Sequence, residues 1–414
     1  RGKYMGIIAA MFGVSSVLGP TLGGFITDQL SWQWIFIVNI PLGIPIIALF
    51  VRWFPDKKRI GPTRKIDTVG AVLIVFAIVP LLLGLSWGGN QFEWSSVQVI
   101  STLVAGSVMV IVFVLYESRI PSPLLPLAVF KNRIVGIGLF ISFLTGLAMF
   151  GAIFFVPLFF QGVLGASPTA SGSFLTPMML GIVFGAAGSG QILSRTGGHY
   201  RIQGVIGLSI MTLGLFGLSR VSGETTHGYA LTSAVVMGFG LGTSFPIYTT
   251  AIQNSVPQQF LGIATSSAQF FRSVGGSIGL ALFGSYMVRQ FKSGMQTNLP
   301  DEAYEAVPPR LLEQISDNPN ALLSPEATEN LMSAFAASGD AGAELGVRVV
   351  DAIRESLANA VGDVFFLAFI FVLISVVAAA FIREIPLKGR SGMPEKPETA
   401  EVPETRPAST QADD

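Results

Sequence analysis

GVSSVLGPTLGG, residues 13–24, lies inside an apolar run yet is built from glycine, serine and proline rather than leucine and isoleucine. On a helix turning about 100° per residue, Gly13, Ser16, Pro20 and Gly24 fall on one strip, and Ser15, Gly19 and Gly23 on the strip beside it. Small side chains then line much of the helix circumference. Such a groove lets a neighbouring backbone approach closely, as helices do in lipid, where apolar burial gives no drive for association. Pro20 removes a backbone donor, so a bend is expected there. Glycine and proline also lower helix propensity, so the stretch makes sense only where close approach is needed. On spacing alone it is a packing seam of the kind any polytopic membrane protein carries.

The rest of the chain agrees with a membrane setting. Half of its 414 residues are hydrophobic and only 12% are charged, against about 25% charged in soluble domains. Charge-free apolar runs of about 20 residues recur, the length that crosses a hydrocarbon core. The net charge is zero, which gives no electrostatic basis for binding nucleic acid. There are no cysteines, so disulfides and thiolate metal or redox chemistry are excluded. His199 and His227 fall in separate polar connections, and neither a metal site nor a cofactor is expected. The sequence opens on Arg1 rather than Met and reads as a fragment whose beginning is missing.

The pattern predicts an all-α polytopic bundle of about ten transmembrane helices, at 4–27, 34–54, 67–88, 95–116, 134–160, 169–193, 202–219, 229–252, 262–287 and 361–382. Charges sort between them. The connection 55–66 carries Lys57, Lys58, Arg59, Arg64 and Lys65; 117–133 carries Arg119, Lys131 and Arg133; 194–201 carries Arg195 and Arg201. The alternate connections 28–33, 89–94 and 161–168 carry no Lys or Arg, and 220–228 only Arg220. The positive-inside rule makes the first set cytoplasmic, together with both visible ends. The connection 253–261 is the exception, cytoplasmic by parity yet uncharged.

Residues 117–133 are rich in proline and read as a linker. Residues 289–360 are polar and acidic, on the external side. Within them, Leu345, Val349, Ile353 and Leu357 have helical spacing, which predicts an amphipathic helix over 341–360 resting on the protein or the interface. The stretch 390–414 is Pro, Glu, Thr and Ala with little that is apolar, and a disordered tail is expected.

Enzyme chemistry finds no support: there is no Ser/His/Asp arrangement, metal-ligand spacing or paired intramembrane carboxylates. Gly238, Gly240 and Gly242 superficially resemble a phosphate loop, but they lie in an apolar span with no following Lys. They read as helix packing, with a kink at Pro246. Arg272 is the sharpest signal, because intramembrane charge is costly and usually functional. Two readings stay open for it: a cation lining a solvated pathway or pairing with an acid, and an Arg that snorkels to the cytoplasmic surface. Asp67, Glu117 and Asp363 sit at span ends, within expected reach of solvent. Asn39, Gln161, Gln253, Asn254 and Gln269 are the uncharged polar membrane residues, able to bind a substrate or to tie helices together, with the structural role favoured. No carboxylate falls in the middle of a span, so the titratable group a proton-coupled carrier needs is not visible here.

Gly6, Ser15, Gly19, Pro20, Gly23 and Gly24 match the spacing G-x8-G-x3-G-P-x2-G-G, with Ser15 where the second glycine would stand. This resembles the antiporter motif in the fifth helix of drug:proton antiporters of the major facilitator superfamily. WQWIFIVNIPLG (32–43) is similar to the element that follows it in the fourteen-span branch, with Gln33 in place of the usual Arg. PLFFQGVLGASPTASGSFLTP (157–177) and FFRSVGGSIGLALFG (270–284) resemble further segments of that branch, as does the exit IREIPLK (382–388). GQILSRTGGHYR (190–201) is similar to the superfamily's cytoplasmic loop motif G-x-x-x-D-R-x-G-R-R, keeping Gly190, Arg195 and Gly197. It has Ser194 in the Asp position, and Gly198 and His199 in place of basic residues.

The resemblance implies that residues 1–54 are the last two helices of an N-terminal bundle, 55–66 a cytoplasmic linker, and 67–116 two extra helices. It makes 117–133 a second linker, 134–383 a C-terminal six-helix bundle with the external loop 289–360, and 384–414 the tail. The first four helices, with the coupling acid, would precede Arg1. The implied function is a secondary active transporter of the plasma membrane, in a bacterium the inner membrane, which exchanges protons for drugs or amphipathic small molecules by alternating access. The antiporter motif would seal the interface between halves, and 289–360 would offer a surface to a periplasmic or envelope partner. The alternatives are a dedicated exporter of one metabolite, siderophore or antibiotic, and a truncated membrane protein that does not transport. The reading frame upstream of Arg1 separates them: four further spans with an acidic residue in the first are expected, and a start codon immediately before Arg1 would overturn the expectation.

Overall fold

The structure is a computed structural model, and it describes residues 15, 19, 22–27, 29–53, 67–88, 91–120, 123–124, 130–166, 168–300, 302–303, 332–333, 335 and 340–385. Helices α1 (Trp34–Ile37) and α2 (Asn39–Trp53) run on through Val38 as a single apolar stretch. None of their side chains is buried. The other long helices among the described residues are α3 (Thr68–Trp87), α4 (Val97–Glu117), α5 (Arg133–Gly162), α6 (Pro168–Thr196), α7 (Tyr200–Leu218), α8 (His227–Asn254), α9 (Leu261–Asn298) and α10 (Asp340–Ala380). Eight helical stretches among the described residues are long and apolar enough to cross a membrane. The ninth span, α9, is more polar, and most of the expected first span, 4–27, lies outside the described residues. With every backbone bond closed inside its own segment, a set of helices is what lipid permits.

Helices α3 and α4 form an antiparallel hairpin. Asp67 Oδ1 caps α3 by accepting the Gly70 N–H at 2.8 Å, and Ser96 Oγ caps α4 by accepting from Val99 N–H at 3.3 Å. The hairpin leans on α9. Helices α5 to α10 form the main bundle, whose seams pair α5 with α9, α6 with α8, α7 with α8, and α10 with α5, α7 and α9. Its core holds Phe159, Phe160, Tyr200, Tyr248, Phe283, Phe291 and Phe365, each nearly inaccessible to solvent.

Glycine sets the closest approaches. A Cβ at Gly238 or Gly242 would run into the carbonyl oxygens of Met178 and Ile182 on α6. One at Gly240 would strike the backbone of Met211 on α7. Helix α8 is therefore sandwiched between two backbones, with its glycines facing alternate sides, which is the packing role read from the sequence. A second seam joins α5 to α9, where Gly146 lies against the Arg272 carbonyl and Gly275 against that of Phe143.

One expectation needs correction. Residues 341–360 are helical with their apolar positions turned to the protein, but the expected boundary at 361 is absent: they continue without a break into the last span, as the first half of the 41-residue α10. Leu345 is half-buried, while Val349, Ile353 and Leu357 are buried. Helix α9 likewise runs past the expected end at 287 for a total of 38 residues. At 1.5 Å per residue these helices are about 60 Å long, about twice a hydrocarbon core. Their extensions pack on each other as a two-helix stalk: Asn298 Nδ2 donates to Ser356 Oγ at 3.1 Å, and Gln290 Nε2 to Asp363 Oδ2 at 2.7 Å. Glu355 accepts the Gly223 N–H at 2.8 Å, which ties the α7–α8 connection to the stalk. Charge defeats a hydropathy boundary there without interrupting the helix.

Gly242→Ala is expected to destabilise the bundle by about 1–3 kcal/mol through overpacking, read as a lower thermal midpoint in detergent. Gly284→Ala, whose Cβ would meet nothing within 4 Å, should be neutral or slightly stabilising, by up to about 1 kcal/mol.

Candidate functional site

Helix α9 starts abruptly. Pro257 is extended, a 3-10 turn follows at Gln258–Phe260, and the α-helix begins at Leu261. Arg272 stands eleven residues further on, about 16 Å along the axis and near the bilayer middle if Leu261 marks the membrane surface. The Gly146 contact to its carbonyl fixes the rotation of α9 against α5. Its side chain is 9% exposed and turns into the bundle.

The Arg272 guanidinium lies over the Phe245 ring of α8, 4.2 Å from the centroid. Nη1 donates to Gln269 Oε1 at 3.1 Å, one helical turn back. Nε is buried with no hydrogen-bond partner, and no ion pair to Arg272 occurs among the described residues. A central Arg costs about 2.5–3.5 kcal/mol on insertion scales. A desolvated cation–π contact returns about 2, and a hydrogen bond to a charged group about 1.5–3. The charge is thus roughly tolerated, with the buried Nε donor unmatched. Phe245 precedes Pro246, and nothing in the sequence pattern pairs it with an arginine 27 residues on; the pairing comes only from the α8 and α9 seams.

The other polar residues differ in what they touch. Gln253 Nε2 donates to Thr265 Oγ1 of α9 at 2.7 Å. Asn254, 8% exposed, donates from Nδ2 to the Ile385 carbonyl at 3.1 Å. Asn39 Nδ2 donates to Ile35 O of its own turn at 2.9 Å and faces outward. Gln161 is half-buried at the end of α5, in the wall of a cavity shared with Ser86 and Ser277. Gln269 serves Arg272.

The α6–α7 turn sits at the basic end of the bundle. Gly197, at φ +77°, takes the left-handed conformation that ends α6, and Gly198 follows at φ +118°. Arg195 is exposed, and a Cβ at Gly190 would meet nothing within 4 Å. Next to them the chain exit is fastened. His199 Nδ1 lies 3.2 Å from Glu384 Oε2, and the buried Tyr200 hydroxyl donates to Arg383 O and accepts from Ile385 N–H. The sequence reading missed Tyr200 and Glu384, because no local pattern brings residues some 185 positions apart together.

In the opening stretch Ser15 and Gly19 are helical, as are Gly23 and Gly24 within 22–27, while Pro20 lies outside the described residues. A Cβ at Gly19 or Gly23 would meet nothing within 4 Å. Solvent does not reach Glu117 as expected. It is 2% exposed, accepts the Leu124 N–H at 3.1 Å, and sits with Asp67 against Gly70, where an added Cβ would strike both carboxylates. The Tyr116 hydroxyl donates to Asp67 at 3.1 Å. Chain reversal after α4 buries Glu117, and hydropathy does not register it.

Comparison with known proteins gives the class. The Major Facilitator Superfamily pattern matches residues 1–280. "Multidrug transporter protein MdtP" of Bacillus subtilis (strain 168) is 32% identical over 94% of this chain and 72% of its own length. "Multidrug resistance protein 3" of the same strain is 31% identical over 96% of the chain and 74% of its own length. An "Uncharacterized MFS-type transporter", Rv1877 of Mycobacterium tuberculosis (strain ATCC 25618 / H37Rv), is 33% identical over 94% of the chain but 52% of its own length. The chain belongs to the Major Facilitator Superfamily. It is a multi-pass membrane transporter of small molecules, not an enzyme.

Tyr200→Phe would remove the hydroxyl that pairs with the Ile385 N–H and the Arg383 C=O at the α10 exit. The expected cost is about 0.5–1.5 kcal/mol, measured as a lower thermal midpoint and faster proteolysis of the segment after Ile382.

Proposed function

We propose that the chain carries the C-terminal half of a proton-coupled exporter of drugs or amphipathic small molecules, of the fourteen-span branch, working by alternating access. The observation that carries this is Arg272: a buried cation with an unpartnered donor, over an aromatic ring, in the middle of a polar span. A mobile charge or a polar substrate group can complete its coordination in one state and release it in another, which is the differential contact that alternating access requires. The names of the two Bacillus relatives support the substrate class. In this reading α5–α10 rock as a unit against the other half, and α3–α4 are the extra pair. The motif Ser15, Gly19, Pro20, Gly23 and Gly24 seals the interface between the halves. The basic connections around Arg133, Arg195 and Arg201 face the cytoplasm, and the stalk faces outward, where it offers a surface to an envelope partner.

Reconstitution of the gene product into liposomes tests it. An imposed pH gradient should drive uptake or release of several unrelated amphipathic dyes. Arg272→Ala should reduce transport at least about tenfold, which a loss of about 1.4 kcal/mol suffices to produce, while protein stays folded in the membrane. Arg272→Lys, which keeps charge but not planarity, should retain part of it. Normal transport by Arg272→Ala would remove the arginine from the mechanism. Gradient-independent transport would remove proton coupling, and a response to one compound only would favour a dedicated exporter.

A further inference from the structure

Two cavities meet where the α3–α4 hairpin leans on the main bundle. The larger, of about 770 Å³, lies between α3, α5 and α9 and is walled mainly by apolar side chains such as Val79, Leu83, Phe154, Leu158 and Leu280. The smaller, of about 570 Å³, is lined by Trp94, Tyr286, Arg289 and Lys292. Val288 lines both, so the two adjoin along α9, an apolar trough beside a basic mouth. Arg289 is exposed and makes no ion pair among the described residues, and the nearby Asp363 is engaged by Gln290.

The heights match a bilayer. From Leu261 to Arg289 is 28 residues of unbroken helix, about 42 Å, which equals the hydrocarbon core plus both headgroup layers, about 40–45 Å. Helix α3 has 20 residues, about 30 Å, and so fills the hydrocarbon thickness before the turn that carries Trp94. The mouth therefore lies at headgroup level, with a tryptophan where interfacial aromatics collect. The trough descends along α9 from Arg289 to Ser277, about 18 Å, against a leaflet depth of about 15 Å.

From this geometry we infer that the groove between the α3–α4 hairpin and α9 holds an anionic glycerophospholipid of the stalk-side leaflet. Its phosphodiester lies between Arg289 and Lys292, and an acyl chain fills the trough. The basic mouth disfavours a cationic amphipath, and the apolar trough gives a free phosphate nothing to bind below its charge. The lipid becomes part of the joint between hairpin and bundle.

The test uses the full chain in nanodiscs of phosphatidylcholine doped with a photoreactive phosphatidylglycerol. Irradiation of the wild type should place adducts within 79–94 and 277–292; adducts spread evenly over lipid-facing helices would overturn the proposal. Retention through detergent exchange, read by native mass spectrometry, should favour phosphatidylglycerol over phosphatidylcholine. The preference should fall about thirtyfold in the Arg289→Ala/Lys292→Ala variant, as expected when two basic interfacial contacts are lost. Gly284→Phe, at a trough position with open space around its Cβ, should lower retention of both lipids. Equal retention of the two lipids by the wild type, or displacement of phosphatidylglycerol by millimolar inorganic phosphate, would also overturn the assignment. Should either variant misfold, the adduct map of the wild type decides alone.

Discussion

In lipid, helices satisfy their own backbones and gain no hydrophobic reward for meeting, so the closeness of approach decides which arrangement is stable. Here that closeness is concentrated in α8. Gly238 and Gly242 admit the carbonyls of Met178 and Ile182 from one side, and Gly240 admits the backbone of Met211 from the other. The two contacts fix both the position and the rotation of α8. Phe245 follows within one turn of Gly242, so the same seam that packs the bundle aims an aromatic face at Arg272. On the opposite wall, the contact of Gly146 with the Arg272 carbonyl rotates α9 to meet it. The candidate site is thus a product of the packing rather than an addition to it.

Two kinds of polar contact result, and they differ in completeness. At the basic end, Asn254, Tyr200 and His199 bind the exit segment through pairs whose donors and acceptors are matched. They serve cohesion, and their loss costs stability. At mid-span Arg272 has, among the described residues, Gln269 and a ring, with Nε unmatched. A fully satisfied arginine would have no reason to exchange partners. An incompletely satisfied one is sensitive to whatever enters beside it.

Apolar length and small-residue spacing made most spans legible, and the packing role of Gly238, Gly240 and Gly242 followed from their lying in an apolar run with no lysine after them. Three things were not legible, each for a physical reason. The continuity of α10 was hidden because Asp351, Arg354 and Glu355 lower hydropathy while remaining good enough helix residues on an exposed face. The Phe245–Arg272 pairing depends on the mutual rotation of two helices, which periodicity does not encode. Burial of Glu117 depends on the chain folding back to Leu124. For the stretch around Gly19 and Gly23 the helix is present but no described side chain fills the groove, so its small residues were easier to read than their partner.

Helix α10 has no proline along its 41 residues, and α9 braces its middle through Asn298 to Ser356 and Gln290 to Asp363. A rod of this kind transmits angle rather than absorbing it. If the membrane half inclines by about 10°, a tip some 30 Å beyond the surface swings by about 5 Å, nearly one helical pitch. The pair therefore acts as a pointer, whose outer end magnifies the attitude of the bundle and makes it legible to anything that can sense a displacement outside the membrane.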